Sequence, residues 1–403
     1  MPLSNLTILD LSRVLAGPFA SQNLADLGAT VLKVEHVDSG DDTRYWGPPF
    51  WEKCHSDQSK EIECSAYFAT CNRSKKSIAL DLKTDQGREI IYELAKKSHV
   101  LLENFSTGVT ERLHIDYGTM HKLNPELVYA SISGFGRTGE YKNRPGYDFL
   151  AQGASGMMHL TGEPDREPQK IGMALVDVLT GMYVTQGVLA SLIAKKGQFI
   201  DVSLFDSALA SLVNQAQNYL STGKSPKRLG NEHPNIAPYE LFECRDGPLI
   251  ITVGNDHQFN KLAKFLGMDP LEVKDKFATN KLRLEHRPQL KDIIHTSFVQ
   301  HDRAHWIKHL NDLGIPCGPV NNVAEAFAEQ PAIDRDMVWS FKDSPVKVVG
   351  NPIKFSETKI DSRNATPPPR LGQHTHEILS GVLEYSDEQI LALERKHVIR
   401  CDR

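Results

Sequence analysis

Asp177 stands in the run ALVDVLTGMY, where a long apolar stretch begins, and a carboxylate there has two uses. It can cap a helix, accepting hydrogen bonds from the orphan N–H groups of the first turn. It can also be a nucleophile. A helix terminus keeps a carboxylate ionised in apolar surroundings and offers donors to a developing oxyanion. An aspartate so placed beside a thioester can attack it to form an acyl-aspartyl anhydride. Spacing alone does not choose between the two. Arg73, Lys75 and Lys76 form a small basic cluster suited to phosphates. The cysteines (Cys54, Cys64, Cys71, Cys244, Cys317 and Cys401) are scattered without a C-x-x-C pair, which reads as reduced thiols in an intracellular compartment. Cys54, His55, Cys64 and Cys71 match no usual zinc spacing.

The elements that must position these groups follow an α/β pattern. LTILDL (6–11), TVLKVE (30–35), SIALDL (77–82), HVLLENF (99–105) and LVYASISGFG (127–136) read as buried strands. Between them lie helical patterns at 17–28 and after Thr84, a candidate N-cap. Aliphatic strands spaced by helices imply right-handed crossovers and a large, open, mostly parallel, Rossmann-like sheet. Such a sheet binds ligands at the loops after its strand C-termini. Those loops are 13–18, 36–44, 104–112 and 134–139. Residues 176–195 read as a helix apolar on every side, hence buried. A polar, Pro/Gly-punctuated segment at 221–238 reads as a linker. Beyond it YELFEC-RDG-PLIITVG predicts a β-hairpin, followed by helices at 256–266, 285–300 and 303–313. The domain expectation is therefore a large first part over 1–222. The linker and a small α+β domain take 223–344, and a return segment, 345–403, packs on the large domain.

With 403 residues, 40% hydrophobic and 24% charged, the chain has the composition of a globular protein of about two domains. A formal charge of -5 provides no general attraction to nucleic acid or to an anionic membrane. No uninterrupted apolar run reaches the roughly 18 residues of a membrane span. The N-terminus enters an apolar strand at once, without the pattern of a transit peptide.

RVLAGPFASQNLADLGATVLKVE, SGDDTR, NRSKKSIALDLKTDQG, ENFSTGVTERL, SISGFG, PGYDFLAQGASG, ALVDVLTGMY, HPNIAPYELF and GIPCGPV occur in order along the chain. Together they resemble the class III CoA-transferases, over essentially the whole length. The resemblance implies a homodimer of interlocked rings and no permanently bound cofactor, coenzyme A entering as the thioester substrate. It also implies CoA transfer from an acyl-CoA to a free carboxylate, with succinyl-CoA and glutarate or 3-hydroxy-3-methylglutarate as expected partners. A soluble enzyme of the mitochondrial matrix is the matching location. In the family the aspartate of the A-L-x-D-x-x-x-G-M pattern is the nucleophile, here Asp177. The CoA-binding positions carried over are Val14, Leu15, His36, Leu80, Lys83, Asn104, Phe105, Arg112, Gly134 and Phe135, with Lys83 and Arg112 meeting phosphates. Formyl-CoA transferases have a glutamine where Leu15 stands and a glycine run in the small domain, and both are absent here.

A dicarboxylic substrate needs a cation for its distal carboxylate. Arg13, Arg44, Arg137, His159 and His233 are the candidates, with Tyr147 beside the acyl group. Racemases of the same fold carry a His-Asp pair where this chain has Tyr147-Asp148. A tyrosine, with an unperturbed pKa of about 10, is a poor base at neutral pH. An acyl-CoA racemase and a non-catalytic CoA-binding dimer are the alternatives. A dinucleotide-dependent oxidoreductase is weaker, since SRVLAGP lacks a G-x-G-x-x-G fingerprint.

Overall fold

The computed structural model describes residues 1–54, 60–342 and 344–402; His55 lies outside them. The chain divides into two compact units. One comprises residues 1–157, 171–217 and 330–403, the other 158–170 and 218–329. The stretch 158–170, read from sequence as part of the large domain, thus belongs to the second unit, and the return begins at 330 rather than 345.

The first unit is built on a seven-stranded sheet. Its strands are β1 (Thr7–Asp10), β2 (Thr30–His36), β3 (Lys75–Leu80), β4 (Val100–Glu103), β5 (Val128–Ser133), β6 (Phe199–Ser203) and β7 (Ile399–Arg400). Their order is β7-β3-β2-β1-β4-β5-β6, all parallel except the antiparallel edge strand β7. Side chains alternate across the sheet, so that Leu9, Leu32 and Leu101 enter one apolar core while Ile8, Val31 and Val100 enter another. Both faces of β1 to β5 are covered, which is why these strands read as largely aliphatic runs. Strand order reverses between β1 and β4, and the loops leaving these two strands open a crevice at that switch point.

Three helices matter to the crevice: α1 (Ala16–Asp26), α2 (Asp148–Ala154) and α3 (Leu175–Ile193). α3 has the length and hydropathy of a membrane span, which a count of uninterrupted apolar residues does not reveal. One stripe of it packs into the core of this unit. Val176, Thr180, Val184 and Val188, four residues apart, form its buried stripe. At Gly181 the helices approach so closely that a Cβ would stand 2.7 Å from the Ala16 carbonyl oxygen. Contrary to the expectation of burial on every side, Met182, Tyr183 and Ile193 on α3 are exposed.

The second unit holds a three-stranded antiparallel sheet, Cys317–Pro319 beside Gly247–Thr252 beside Tyr239–Cys244. Its own core includes Phe242, Leu249, Phe259, Phe298 and Trp306. The last two stand stacked, their ring centroids 4.2 Å apart.

Candidate active site

The loop between β1 and α1 is held in a conformation its residues would not choose. Val14 has φ +72°, unfavourable for a β-branched residue. Its N–H reaches the Asp41 carboxylate at 3.2 and 3.3 Å. The Arg13 N–H donates to Asn104 Oδ1 at 3.0 Å, and Asn104 Nδ2 donates back to the Arg13 carbonyl at 2.7 Å. Lys33 ties Asp41 (2.9 Å) to the Ser12 carbonyl (3.1 Å) from below. Fully buried, this lysine would tend to lose its proton, but Asp41, Asp10 and Glu35 outweigh burial and hold it above the usual range.

Two clefts meet across this loop and the one leaving β4, sharing Arg13, Phe105 and Ser106. The first encloses about 490 Å³. His36, Leu80, Lys83 and Arg112 line it. No ion pair engages Lys83 or Arg112 among the described residues, and both are exposed. The second cleft, about 370 Å³, is lined by Val14, Leu15, Asn104, Gly134, Tyr147 and Asp177, among others. Gly134 is required there: its backbone crosses that of Gly146 so closely that a Cβ would lie 2.7 Å from the Gly146 Cα. Phe135 alone of the ten expected CoA positions lines neither cleft. It packs against Tyr141 and Phe205 instead.

Asp177 does not cap its helix. Asp148, at the start of α2, does so: its Oδ1 accepts from the Val176 N–H at 2.7 Å and lies 3.4 Å from the Asp177 nitrogen. Its Oδ2 accepts from Gln152 Nε2 at 2.7 Å, and Gln152 Oε1 accepts from the Ile171 N–H at 2.9 Å. With the capping role filled, the Asp177 carboxylate makes no hydrogen bond among the described residues. Burial, and secondarily the negative charge of Asp148, raises its pKa from 3.8 to about 7. One turn before Gly181, it sits where α3 abuts the first turn of α1. Tyr67 feels the same carboxylate. Burial and then Asp177 push its phenol up to about 12, and Trp46 packs edge-on against its ring.

Several cations expected from sequence at the substrate are engaged elsewhere. Arg44 is buried, its Nε and Nη2 donating to the two Glu35 oxygens at 2.8 Å each and Nη2 also to the Pro369 carbonyl. It lines neither cleft, because the nearest strong acceptor in three dimensions is a strand carboxylate nine residues back. Arg137 lines the second cleft but donates to Ser131, Glu103, Thr107 and the Ile132 carbonyl. Arg13 pairs with Asp42 at 2.7 Å. His159 and His233 belong to the second unit. Nor does the basic cluster serve phosphates: Arg73 pairs with Asp26, Lys75 with Asp10 and Lys76 with Glu377. Asp148 acts as a cap that its sequence signals only through the i, i+4 spacing to Gln152. Arg144 and Lys142, which carry no motif signal of their own, also line the Asp177 cleft.

The chain resembles known proteins over most of its length. The sequence profile of CoA-transferase family III matches residues 3–375. A succinate–glutarate CoA-transferase of Agrobacterium fabrum is 41% identical, covering 94% of this chain and 95% of that one. The succinyl-CoA:glutarate CoA-transferase of Homo sapiens is 40% identical, covering 96% of this chain and 88% of its own. The crystal structure of a CAIB/BAIF family protein from Brucella suis superposes with a TM-score of 0.82 at 43% identity, covering 95% of this chain and 99% of that one. With a mixed α/β fold, two joined clefts and likeness extending across nearly every residue, this chain belongs to CoA-transferase family III and is a CoA-transferase.

Proposed function

We propose that the enzyme moves CoA from succinyl-CoA to a free dicarboxylate, glutarate or a relative such as 3-hydroxy-3-methylglutarate, with Asp177 as the covalent nucleophile. The observation that carries this reading is the unpartnered Asp177 carboxylate, exposed to a cleft that continues into a second one lined by Lys83 and Arg112. The two relatives named for succinate or succinyl-CoA and glutarate support the choice of acids.

In this mechanism the ionised Asp177 attacks the thioester carbonyl, the C–S bond breaks and CoA thiolate departs, leaving a mixed anhydride. The thiolate then attacks the Asp177 carbonyl, releasing the donor acid and forming an aspartyl-CoA thioester. The acceptor carboxylate attacks that thioester and expels the thiolate again, giving a second anhydride. The thiolate returns to the acceptor's acyl carbon, which frees Asp177 and the new acyl-CoA. An aspartyl thioester or anhydride keeps the activation energy that a serine ester would largely dissipate. Lys83 and Arg112 would hold phosphates of the CoA in the first cleft through charge-assisted hydrogen bonds. A homodimer is part of the proposal. The exposed Met182, Tyr183 and Ile193 on α3, with Leu209 and Val213 on the same unit, offer apolar surface for a second copy.

Trapping tests the covalent step. The enzyme is incubated with succinyl-CoA, treated with hydroxylamine or borohydride, and the modified peptide is located by mass spectrometry. A hydroxamate or a reduced alcohol at Asp177 is the expected result. Turnover without any adduct on the peptide that contains Asp177 would sink the assignment.

A further inference from the structure

The charged side chains lining the Asp177 cleft are four cations, Arg13, Arg137, Lys142 and Arg144, and Asp177 itself. Arg13 and Arg137 are neutralised by Asp42 and Glu103. Arg144 has no ion-pair partner among the described residues. What holds it is aromatic. Its guanidinium lies 5.0 Å from the ring centroid of Phe135 and 5.2 Å from that of Tyr141, and Phe135 is itself packed on Phe205. A cation–π contact of this kind attracts the guanidinium while using none of its five N–H donors. The platform explains why Phe135 lines no cleft: it lies beneath a residue that does.

The backbone carrying Arg144 is also fixed. Its N–H donates to the Tyr141 carbonyl at 2.8 Å, and the Lys142 carbonyl accepts from the Thr107 hydroxyl. Two residues on, Gly146 is clamped against Gly134. Four residues on, Asp148 caps the helix of Asp177. A short, tethered stretch therefore connects a free guanidinium to the position of the reacting carboxylate.

We propose that Arg144 binds the distal carboxylate of the dicarboxylic acyl group and of the acceptor acid, and so sets the preference for diacids over monoacids. This rests on the transferase reading of the cleft given above. The planar fork matches a carboxylate in a bidentate manner, whereas Lys142 presents a point charge. A diacid places one carboxylate at Asp177 for reaction and needs a cation for the other. Arg144 is the arginine of this cleft that no carboxylate engages among the described residues.

The test compares glutarate with pentanoate, a monoacid of the same chain length, as acceptors from succinyl-CoA. The full chain is used, with circular dichroism and a melting curve to show that each variant folds. In Arg144→Ala the ratio of kcat/KM for glutarate over pentanoate should fall about 10- to 100-fold, the range for losing a hydrogen bond to a charged group. The loss should be carried mainly by KM for glutarate. Arg144→Lys should restore part of the ratio, and Lys142→Ala should change it less than Arg144→Ala does. Equal losses for the two acids in Arg144→Ala, or a larger change of the ratio in Lys142→Ala, would overturn the assignment of Arg144 alone. A wild-type enzyme that transfers CoA to neither acid overturns the glutarate reading on which this proposal rests, so the two failures are distinguishable.

Discussion

The first unit buries two kinds of carboxylate. Beneath the loop between β1 and α1, each acid has been given a cation: Asp10 meets Lys75 at 3.2 Å, Asp41 meets Lys33 at 2.9 Å and Glu35 meets Arg44 at 2.8 Å. Burial pushes all three toward the protonated form, yet the neighbouring cations and hydrogen bonds win. Asp10 and Glu35 are held below the ordinary range and Asp41 falls to about 2. Asp177, half-buried at the start of α3 where it lines the second cleft, has another aspartate as its charged neighbour, and it rises to about 7. The difference separates scaffold from chemistry. A paired acid has its oxygens committed to cations and hydrogen bonds, whereas an unpaired one remains available as a nucleophile and costs stability for as long as it is ionised.

The largest expected effect comes from removing the unpaired acid. Asp177→Asn should lower transfer by more than about 10⁴-fold, since no covalent intermediate can form. Its stability should move the other way. A raised carboxyl pKa favours the protonated form in the fold. The stability associated with Asp177 is therefore full below pH about 4 and is lost as pH rises through about 7. Melting curves across pH should thus show Asp177→Asn at least as stable as wild type above pH 7, the gap closing toward pH 4. Near wild-type turnover in this variant would erase the contrast drawn above.

Next in size is the converse experiment on the scaffold. Asp10→Asn leaves the ammonium groups of Lys75 and Lys33 buried with one anion fewer, and should cost about 3–5 kcal/mol of stability in denaturant unfolding. The acid side behaves oppositely to Asp177. With Asp41 lowered to about 2, its stabilisation is complete above pH 4 and lost as pH falls toward 2. A variant at Asp10 as stable as wild type would mean that the pairs beneath the loop are not what holds it.

How much of this was legible beforehand depends on the range of each interaction. β1 to β5 stood out because strands covered on both faces are continuous aliphatic runs, and Thr84 announced its helix, its hydroxyl accepting from the Gly87 N–H at 3.0 Å. Val14 was placed at the right loop, but nothing local predicts a valine at φ +72°, which depends on Asp41, twenty-seven residues away in sequence. Arg44 and Arg144 look alike as text, each an arginine in a polar loop. Only the fold shows that Glu35 captures the first, while the second finds rings and no carboxylate. Asp177 could be read as a cap because capping and nucleophilic aspartates share a position. The discriminating fact is Asp148, twenty-nine residues earlier, which fills the capping role.

The smallest expected effect sharpens the comparison most, because it alters the neighbour of Asp177 and not Asp177. Asp148→Asn keeps an oxygen to accept from the Val176 N–H and removes the negative charge. Burial then remains as the cause holding Asp177 up, so its pKa should fall. Attack on the thioester needs the ionised form, so wild-type kcat/KM should decline as pH drops through about 7. In Asp148→Asn that acidic limb should move to lower pH by about one unit. Tyr67, which also feels the Asp177 carboxylate, is held up at about 12 and stays neutral over this range. It cannot imitate the shift. Asp148→Ala provides the control, losing cap and charge together: the limb should move as in Asp148→Asn, with about 1 kcal/mol of stability lost besides. An acidic limb that stays in place in both variants would mean that burial alone, and not the pairing of two aspartates, keeps the nucleophile poised near neutrality.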